Sequence, residues 1–467
     1  MDAKLNFQEQ WFRYLTFVFV LLGSCSLSYS QDITGQWNGK LVLPNGSLSI
    51  VFHITKVGEG YSTVLDSPDQ GATGIPTAST IFENNVLSID IPTIHASYKG
   101  EVNAEGNIQG VFVQGMPLPL NLEKGEFIQN RPQEPKAPFP YLIEDIQFRN
   151  EAAGITLSGT LTLPSEGEKH PVVVLITGSG AQNRDEELMG HKPFWVIADY
   201  LTRKGIAVLR YDDRGVGESE GDFKSALTTD FSTDAGAALD YLKTRKEIDA
   251  SKMGLLGHSE GGTVAFILAA KNKDVAFIVS MAGTGIKGES IILKQAELLM
   301  KSNGMSDLVW KEQELVLRNR YALLTQEKDR EEIKKELYES VTKTIPSVLL
   351  EDENTKRQID AEVEAMTSPW YIEFLKYDPI LDLKQITCPV FAINGERDIQ
   401  VVADTNLAAI ENAIRSNGNE NVEVKTYSGL NHLFQHCETC LITEYSQIEE
   451  TISPEVLQDI ADWLLRH

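Results

Sequence analysis

Continuous apolar runs alternate with amphipathic helical patterns in the second part of the chain, and this alternation constrains the fold more than any other feature. The apolar runs lie at residues 172–176, 206–211, 253–256, 275–281, 390–393 and 422–427. The helical patterns lie at residues 194–204, 230–245, 261–270, 405–415 and 454–465. Strands of this composition are typical of a parallel sheet buried on both faces, with helices as right-handed crossovers. We predict one α/β domain over residues 141–467.

Two segments of this domain depart from the alternation. Residues 155–163 alternate polar and apolar side chains, which predicts an antiparallel strand at the sheet edge. Residues from about 285 to 385 are charged, helical in pattern and free of strand signals. This block falls between two sheet strands, so it is predicted to be a helical cap.

The preceding residues predict a different architecture. Residues 31–130 carry short alternating runs separated by turn signals, and no stretch has a helical period. We expect a small antiparallel β-sandwich or barrel-like domain. Four prolines then fall within residues 131–140, a composition that favours an extended, semi-rigid linker.

Residues 1–30 have the pattern of a signal peptide. Cationic residues precede an apolar run at residues 14–23, and small residues follow that suit cleavage before Gln31. Residues 22–25 also resemble a bacterial lipobox, which would make Cys25 a lipid-bearing first residue; a retained anchor is a third alternative. The chain is therefore predicted to be secreted or periplasmic, without membrane insertion of its mature part.

The charge of the chain narrows its partners. The 467 residues carry a formal net charge of -25 and a pI near 4.8. Such a surface repels nucleic acid and anionic headgroups, so we expect a small molecule as the main partner.

The strongest chemical motif is Gly-His-Ser-Glu-Gly-Gly at residues 257–262, which fits G-x-S-x-G between a buried strand and a helix. The turn must be tight, and Gly257 and Gly261 remove side chains that would clash. The motif therefore predicts that Ser259 is a nucleophile exposed at the carboxyl end of the sheet. Its oxyanion would be bound by the backbone N–H groups of Glu260 and of Ser179, with Gly180 as the alternative to Ser179.

A serine nucleophile needs a base and an acid that orients the base. Asp398 lies just after the strand at 390–393, with Glu396 as the alternative acid. His432 follows the strand at 422–427 and is the predicted base. Nearby, Cys437 and Cys440 could close a disulfide in an oxidising compartment. Together with His432 and His436 they could be imagined as zinc ligands, but this spacing is unlike common zinc sites, and no metal is predicted.

Two further sets of residues are interpreted as structural or left open. Asp213 and Arg214, in the loop after the strand at 206–211, are expected to order that loop through charge-assisted hydrogen bonds. Trp370, Tyr371 and Phe374 in the cap either line a substrate pocket or pack the cap against the core.

The chain resembles bacterial α/β-hydrolases over residues 141–467. The resemblance rests on residues 257–262, 177–180, 212–215 and 429–432. The group resembled is loosely associated with dipeptidyl aminopeptidases and acylaminoacyl peptidases, and includes short-chain carboxylesterases with an N-terminal β domain. It implies acyl hydrolysis without a cofactor. Thr177 departs from the pattern, since many relatives carry histidine there.

Three functions are compatible with these residues. The first is a carboxylesterase acting on short acyl or acetyl esters, including acylated carbohydrate, through an acyl-enzyme. The second is a serine peptidase of the aminopeptidase or acylaminoacyl type with the same triad. The third is a glycan-binding protein with an inert hydrolase domain, against which the complete set of serine, acid and histidine argues.

Overall fold

The computed structural model describes residues 32–43 and 46–467, so the predicted leader with Cys25 lies outside the described residues. The chain divides into two compact units. One holds the described residues up to Pro68 together with Ala72–Phe127, and the other holds Asp69–Gly71 and Ile128–His467. Throughout the described ranges, a helix long and apolar enough to cross a membrane is absent.

The first unit is an antiparallel β-barrel. Its strands are Gly35–Leu43 (β1), Gly46–Val57 (β2), Gly60–Ser67 (β3), Ala72–Pro76 (β4), Ser79–Glu83 (β5), Val86–Ile91 (β6), Ala96–Val102 (β7), Ile108–Gln114 (β8) and Met116–Lys124 (β9). The strand order is β2-β1-β9-β8-β7-β6-β5-β3-β4, and a β2–β3 pairing joins its two ends. Eight strands thus close a ring, and β4 is added alongside β3.

Strict alternation of side chains fills the barrel interior. Along β7, every second residue is buried and those between are exposed. Trp37, Phe52 and Tyr98 are among the large side chains of this core. Asn84 and Asn85, between β5 and β6, both have positive φ (50° and 63°), as required at the centre of a type I′ hairpin. The interior is therefore a packed core.

The second unit is built on an eight-stranded sheet. Its strands are Tyr141–Asn150 (β10), Ile155–Pro164 (β11), His170–Ile176 (β12), Ala207–Tyr211 (β13), Ile248–His258 (β14), Ile278–Met281 (β15), Val390–Gly395 (β16) and Val422–Tyr427 (β17). Their order is β10-β11-β13-β12-β14-β15-β16-β17. Pairings from β13 to β17 are parallel, whereas β10–β11 and β11–β13 are antiparallel.

Helices cover both faces of this sheet. They are Pro193–Arg203 (α1), Thr228–Lys243 (α2), Glu260–Lys271 (α3), Ala403–Arg415 and Pro454–Leu464. The cap helices lie between β15 and β16. On β12, Val172, Val174 and Ile176 join one hydrophobic core, and Val173 and Leu175 join the other. A strand buried on both faces has a continuous apolar sequence, which is why the parallel α/β sheet was predictable from the apolar runs.

The predicted edge strand is not at the edge. Residues 155–163 form most of β11, which is antiparallel as expected, but β10 lies outside it. The strand β10 was missed because it follows the proline-rich segment directly and carries charged side chains such as Glu144 and Asp145. Charges of this kind are common on edge strands, where they discourage pairing with another chain.

Six helices lie between β15 and β16, in the block predicted as a cap. They are Gly288–Ser302 (α4), Asp307–Leu324 (α5), Arg330–Thr342 (α6), Glu353–Met366 (α7), Pro369–Lys376 (α8) and Ile380–Leu383 (α9); Ala403–Arg415 is then α10 and Pro454–Leu464 is α11. The cap has a core of its own that includes Tyr321, Leu324 and Leu337.

The segment predicted as a linker lies within the second unit. The buried guanidinium of Arg131 donates to five backbone carbonyls, those of Asn130, Met189, Gly190, Ser446 and Ile448, at 2.8–3.2 Å. Burial lowers the pKa of Arg131. Residues 128–134 are therefore tied to the α/β unit before its first strand begins.

Candidate active site

Ser259 occupies a strained turn between β14 and α3. Its φ and ψ are 53° and -117°, a conformation that L side chains rarely adopt. A Cβ at Gly257 would lie 2.0 Å from the carbonyl oxygen of Gly261, and one at Gly261 would lie 2.1 Å from that of Ile176. Only glycine fits at either position, so the motif keeps the turn tight.

Asp398 and His432 are in direct contact. Asp398 follows β16, His432 follows β17, and Nδ1 of the imidazole lies 2.6 Å from Oδ2 of the carboxylate. Both residues are 4% exposed. The other oxygen, Oδ1, accepts the backbone N–H groups of Gln400 and Val401 at 2.7 and 2.9 Å. The short charge-assisted hydrogen bond between Asp398 and His432 fixes the orientation of the imidazole, with Nε2 directed away from the carboxylate.

The alternative acid, Glu396, has other partners. It is exposed and accepts hydrogen bonds from Oγ of Ser428 (2.6 Å) and the N–H of Gly429 (3.1 Å). The hydrogen bond from Ser428 is the main reason that its pKa is lowered. Of the two candidates, Asp398 is thus the carboxylate that contacts His432.

A buried histidine joins the His432 loop to the serine turn. Nε2 of His258, the residue before Ser259, donates to the backbone carbonyl of His432 at 3.1 Å. The two imidazole rings have centroids 4.8 Å apart. The loop after the last strand is therefore fixed beside the turn that carries Ser259.

The loop after β12 packs against Ser259. A Cβ built on Gly178 would lie 3.3 Å from the Cβ of Ser259. The N–H of Gly178 donates to Oε1 of Glu186 at 2.7 Å and is therefore already bonded. The N–H that follows it in the loop is that of Ser179. Because α3 begins at Glu260, the N–H of that residue has no acceptor inside the helix. These are the two N–H groups predicted to bind an oxyanion.

Asp213 clamps both ends of the same loop. Its carboxyl group is hydrogen-bonded to Oγ1 of Thr177 at 2.7 Å and accepts from the N–H of Gln182 at 3.0 Å. The hydroxyl of Thr177, where many relatives carry histidine, has this anchoring partner. Arg214 instead pairs with Asp234 at 2.7 Å. Both residues order structure through hydrogen bonds, as expected, but only Asp213 acts on the loop beside Ser259.

Comparison with known proteins identifies the family. The sequence profile of the X-Pro dipeptidyl-peptidase (S15) family matches residues 153–436, more than half of the chain and the stretch that holds Ser259, Asp398 and His432. The chain belongs to the S15 family. It is therefore a serine hydrolase of the esterase and peptidase type, as the sequence resemblance implied.

Individual relatives of this S15-family hydrolase include esterases. Esterase EstD of Thermotoga maritima is 27% identical over 311 residues, which cover 66% of each chain, slightly under two thirds of the length of EstD. The esterase Pf2001 of Pyrococcus furiosus aligns in structure with a TM-score of 0.43, at 16% identity, over 74% of this chain and 99% of that one. The α/β-hydrolase GrgF of a Penicillium species gives a TM-score of 0.42 at 18% identity, over 70% and 99%.

The cap of the S15-family hydrolase is bound to the serine turn through Glu260. The carboxylate of Glu260 is 4% exposed and accepts from Oγ1 of Thr228 (2.6 Å) and Nε1 of Trp370 (2.7 Å). Burial raises its pKa. Trp370 belongs to α8 and stacks on Phe374 with ring centroids 5.5 Å apart. The sequence left the role of these aromatic residues open; Trp370 is hydrogen-bonded to Glu260, the residue that follows Ser259.

Cys437 and Cys440 form a disulfide in the loop that follows His432. His436 instead lies at the surface, with Nδ1 2.8 Å from Glu450. In the part of the chain that the structure describes, no group of three or more His, Cys, Asp or Glu side chains is arranged to hold a metal ion. The two sulfurs that the zinc alternative would have used are bonded to each other.

The Asp213 clamp should make stability depend on pH. Burial raises the pKa of Asp213 from 3.8 to about 8, so between these values the folded enzyme keeps a proton that the unfolded chain loses. Stability conferred by this group is therefore full below pH 4 and is lost as pH rises towards 8, by roughly 1 kcal/mol per pH unit.

The variant Asp213→Asn should remove this dependence. Its amide can still accept from Gln182 and donate to Thr177, and it cannot ionise. In urea titrations at pH 5 and pH 8, we expect the wild type to lose more stability than the variant over this interval. Equal losses would show that Asp213 is already ionised at pH 5.

Proposed function

We propose that this protein is a carboxylic ester hydrolase that acts through an acyl-enzyme on Ser259. The observation that carries the proposal is the buried Asp398–His432 pair at 2.6 Å, whose histidine is also bonded through its backbone carbonyl to the residue preceding Ser259. This pair supplies the oriented base that a serine nucleophile requires.

Each step uses a named group. Oγ of Ser259 attacks the ester carbonyl carbon and its proton passes to Nε2 of His432, while the N–H groups of Glu260 and Ser179 bind the developing oxyanion. The tetrahedral intermediate collapses, and the imidazolium returns the proton to the departing alkoxide. Water then attacks the acyl-enzyme with His432 as base, which releases the carboxylic acid and restores the serine.

The surroundings of Ser259 favour esters over peptides. A peptidase that reads the amino terminus needs an acidic group for the substrate ammonium. Within the described residues, the carboxylates of Glu186, Glu260 and Glu373 are close to the serine turn, and each already accepts hydrogen bonds from groups of the protein. Glu260 is in addition buried beneath Trp370. The relationship to esterase EstD supports the same substrate class.

The second candidate is an X-Pro dipeptidyl-peptidase activity. It is favoured by the family match over residues 153–436, since the family carries that description. It would use the same Ser259, His432 and Asp398, with a peptide nitrogen as leaving group that His432 must protonate.

A substrate panel separates these candidates. The wild type and Ser259→Ala are compared on p-nitrophenyl acetate, butyrate and octanoate, and on Gly-Pro-p-nitroanilide and Ala-p-nitroanilide. We expect turnover of the acetate or butyrate at least about 100-fold above either anilide, lost in the variant. A preference for Gly-Pro-p-nitroanilide would instead establish the peptidase. If the protein turns over none of these substrates but is retained on a column of immobilised carbohydrate, the glycan-binding alternative is supported.

We further infer that the chain is exported. The support is the Cys437–Cys440 disulfide, because such bonds persist in oxidising compartments such as the bacterial periplasm and the extracellular space. This agrees with the signal-peptide pattern of residues 1–30. The proposed substrates, short acyl esters and acylated carbohydrates, are accordingly ones met outside the cytoplasm.

A further inference from the structure

Two buried titratable residues beside the triad are not used by the proposed mechanism. Glu186 is 3% exposed and His258 is 6% exposed, and Oε1 of the glutamate lies 2.9 Å from Nδ1 of the imidazole. Glu186 has a φ of 51°, an uncommon conformation for a residue that is not glycine. A left-handed backbone that directs a carboxylate into the interior indicates a role there.

Counting protons defines the state of this pair. Nε2 of His258 must carry a hydrogen, because its partner is the carbonyl oxygen of His432, which can only accept. Nδ1 faces a carboxylate oxygen, so a second proton lies between His258 and Glu186. Burial lowers the pKa of His258, but the charge of Glu186 and the hydrogen bonds to Glu186 and to the carbonyl of His432 together raise it by more, so the net pKa is raised. Both nitrogens of His258 therefore have polar partners in the interior.

One oxygen of Glu186 connects three parts of the active site. Oε1 accepts the N–H of Gly178 at 2.7 Å as well as the bond from His258. His258 in turn holds the backbone of His432. The loop at residues 177–182 (the oxyanion loop), the turn at residues 257–262 (the serine turn) and the loop that carries His432 thus meet at the contact between Glu186 and His258. Gly178 and Glu186 are closely packed, because a Cβ at Gly178 would lie 3.3 Å from Oε1 of Glu186.

We propose that Glu186 and His258 are positioning residues that fix the oxyanion loop and the His432 loop in register with Ser259. The proposal rests on the proposed acyl-enzyme function. Glu186 acts on the N–H groups that follow Gly178, and His258 acts on the backbone of the base. Neither residue touches the reacting atoms, so their loss should weaken binding of the transition state and leave ground-state binding of the substrate almost unchanged.

The main test is Glu186→Gln, with Glu187→Gln as the matched control on the same loop. Glu187 is exposed, and its carboxylate accepts from Asn183. A single amide atom cannot replace Oε1, because an oxygen there would face an unprotonated Nδ1 and an NH₂ group would face the N–H of Gly178. Per titrated active site, we expect kcat to fall roughly 30- to 100-fold with KM within about threefold, and Glu187→Gln to match the wild type.

A transition-state analogue separates positioning from stability. A trifluoromethyl ketone forms a tetrahedral oxyanion adduct with the serine, so its Ki should rise in Glu186→Gln by the same factor by which kcat/KM falls. Counting active sites with a fluorophosphonate restricts the comparison to folded molecules. An unchanged kcat and Ki per titrated site, whatever the loss in melting temperature, would overturn the proposal.

Two substitutions of His258 divide the network. The amide of His258→Asn can replace Nδ1 towards Glu186, and that of His258→Gln can replace Nε2 towards the carbonyl of His432. We expect each variant to lose at least about tenfold in kcat because each breaks one connection; wild-type kcat in either would refute the role of that connection. If the wild type itself turns over none of the esters or anilides, the proposed function fails, and this is distinguishable from normal turnover in the variants.

Discussion

Ser259→Ala is expected to lower ester turnover roughly 10⁴- to 10⁶-fold without unfolding the protein. Alanine retains the Cβ and the backbone N–H that donates to Met281 at 2.8 Å, so the strained turn keeps its support. The loss should appear in kcat on p-nitrophenyl esters, together with loss of fluorophosphonate labelling. Melting temperature should stay within about 2 °C of the wild type.

Ser251→Ala provides the control for this substitution. Ser251 lies on the same strand as the serine turn, is exposed, and bonds only locally with Asp249. Its loss should leave kcat and labelling unchanged. Labelled protein that persists in Ser259→Ala would place the nucleophile at another residue, and mass spectrometry of the labelled peptide would identify it.

Asp398→Asn is expected to lower kcat about 10⁴-fold, close to the decrease expected when the base, His432, is removed. The asparagine oxygen can still accept from Gln400 and Val401, so the loop should persist. Its NH₂ group, however, would face Nδ1 of His432 as a donor and would favour the tautomer protonated on Nε2. That tautomer cannot accept the serine proton. Steady-state kinetics on a p-nitrophenyl ester measures the loss.

Glu396→Gln is the matched comparison, because this carboxylate is two residues away and was the alternative acid. Its partners are Ser428 and Gly429 at the surface; both donate to Oε2, so the amide oxygen of glutamine can still accept both bonds. We expect kcat within about threefold of the wild type. A larger loss in Glu396→Gln than in Asp398→Asn would exchange the roles of the two residues.

The parts of the site that are local in sequence were predictable. The serine turn is specified by residues 257–262, since strand, glycines and helix are contiguous. The order of the sheet strands then limited the base and acid to loops after β16 and β17. The choice between Asp398 and Glu396 followed only from position relative to the strand end. Their burial, which separates them clearly, depends on how the loop folds.

The contacts that were not predictable join distant segments. Glu186 and His258 are 72 residues apart, and Trp370 is 110 residues from Glu260. The local sequence around each of these residues does not indicate its partner, because a buried contact between side chains depends on the packing of whole elements. The one available signal was the histidine of the Gly-His-Ser motif, which is next to Ser259 and was treated only as part of the turn.

The hydrogen bonds from Arg131 to backbone carbonyls determine where a fragment with the catalytic unit should begin. A polypeptide that started at the first sheet strand, residue 141, would lack this guanidinium and leave carbonyls of Met189, Gly190, Ser446 and Ile448 without their shared donor. Ser446 and Ile448 lie beyond the disulfide in the same loop region as His432. A fragment that keeps these contacts must therefore begin near residue 128, and the prolines after that residue belong to the α/β unit.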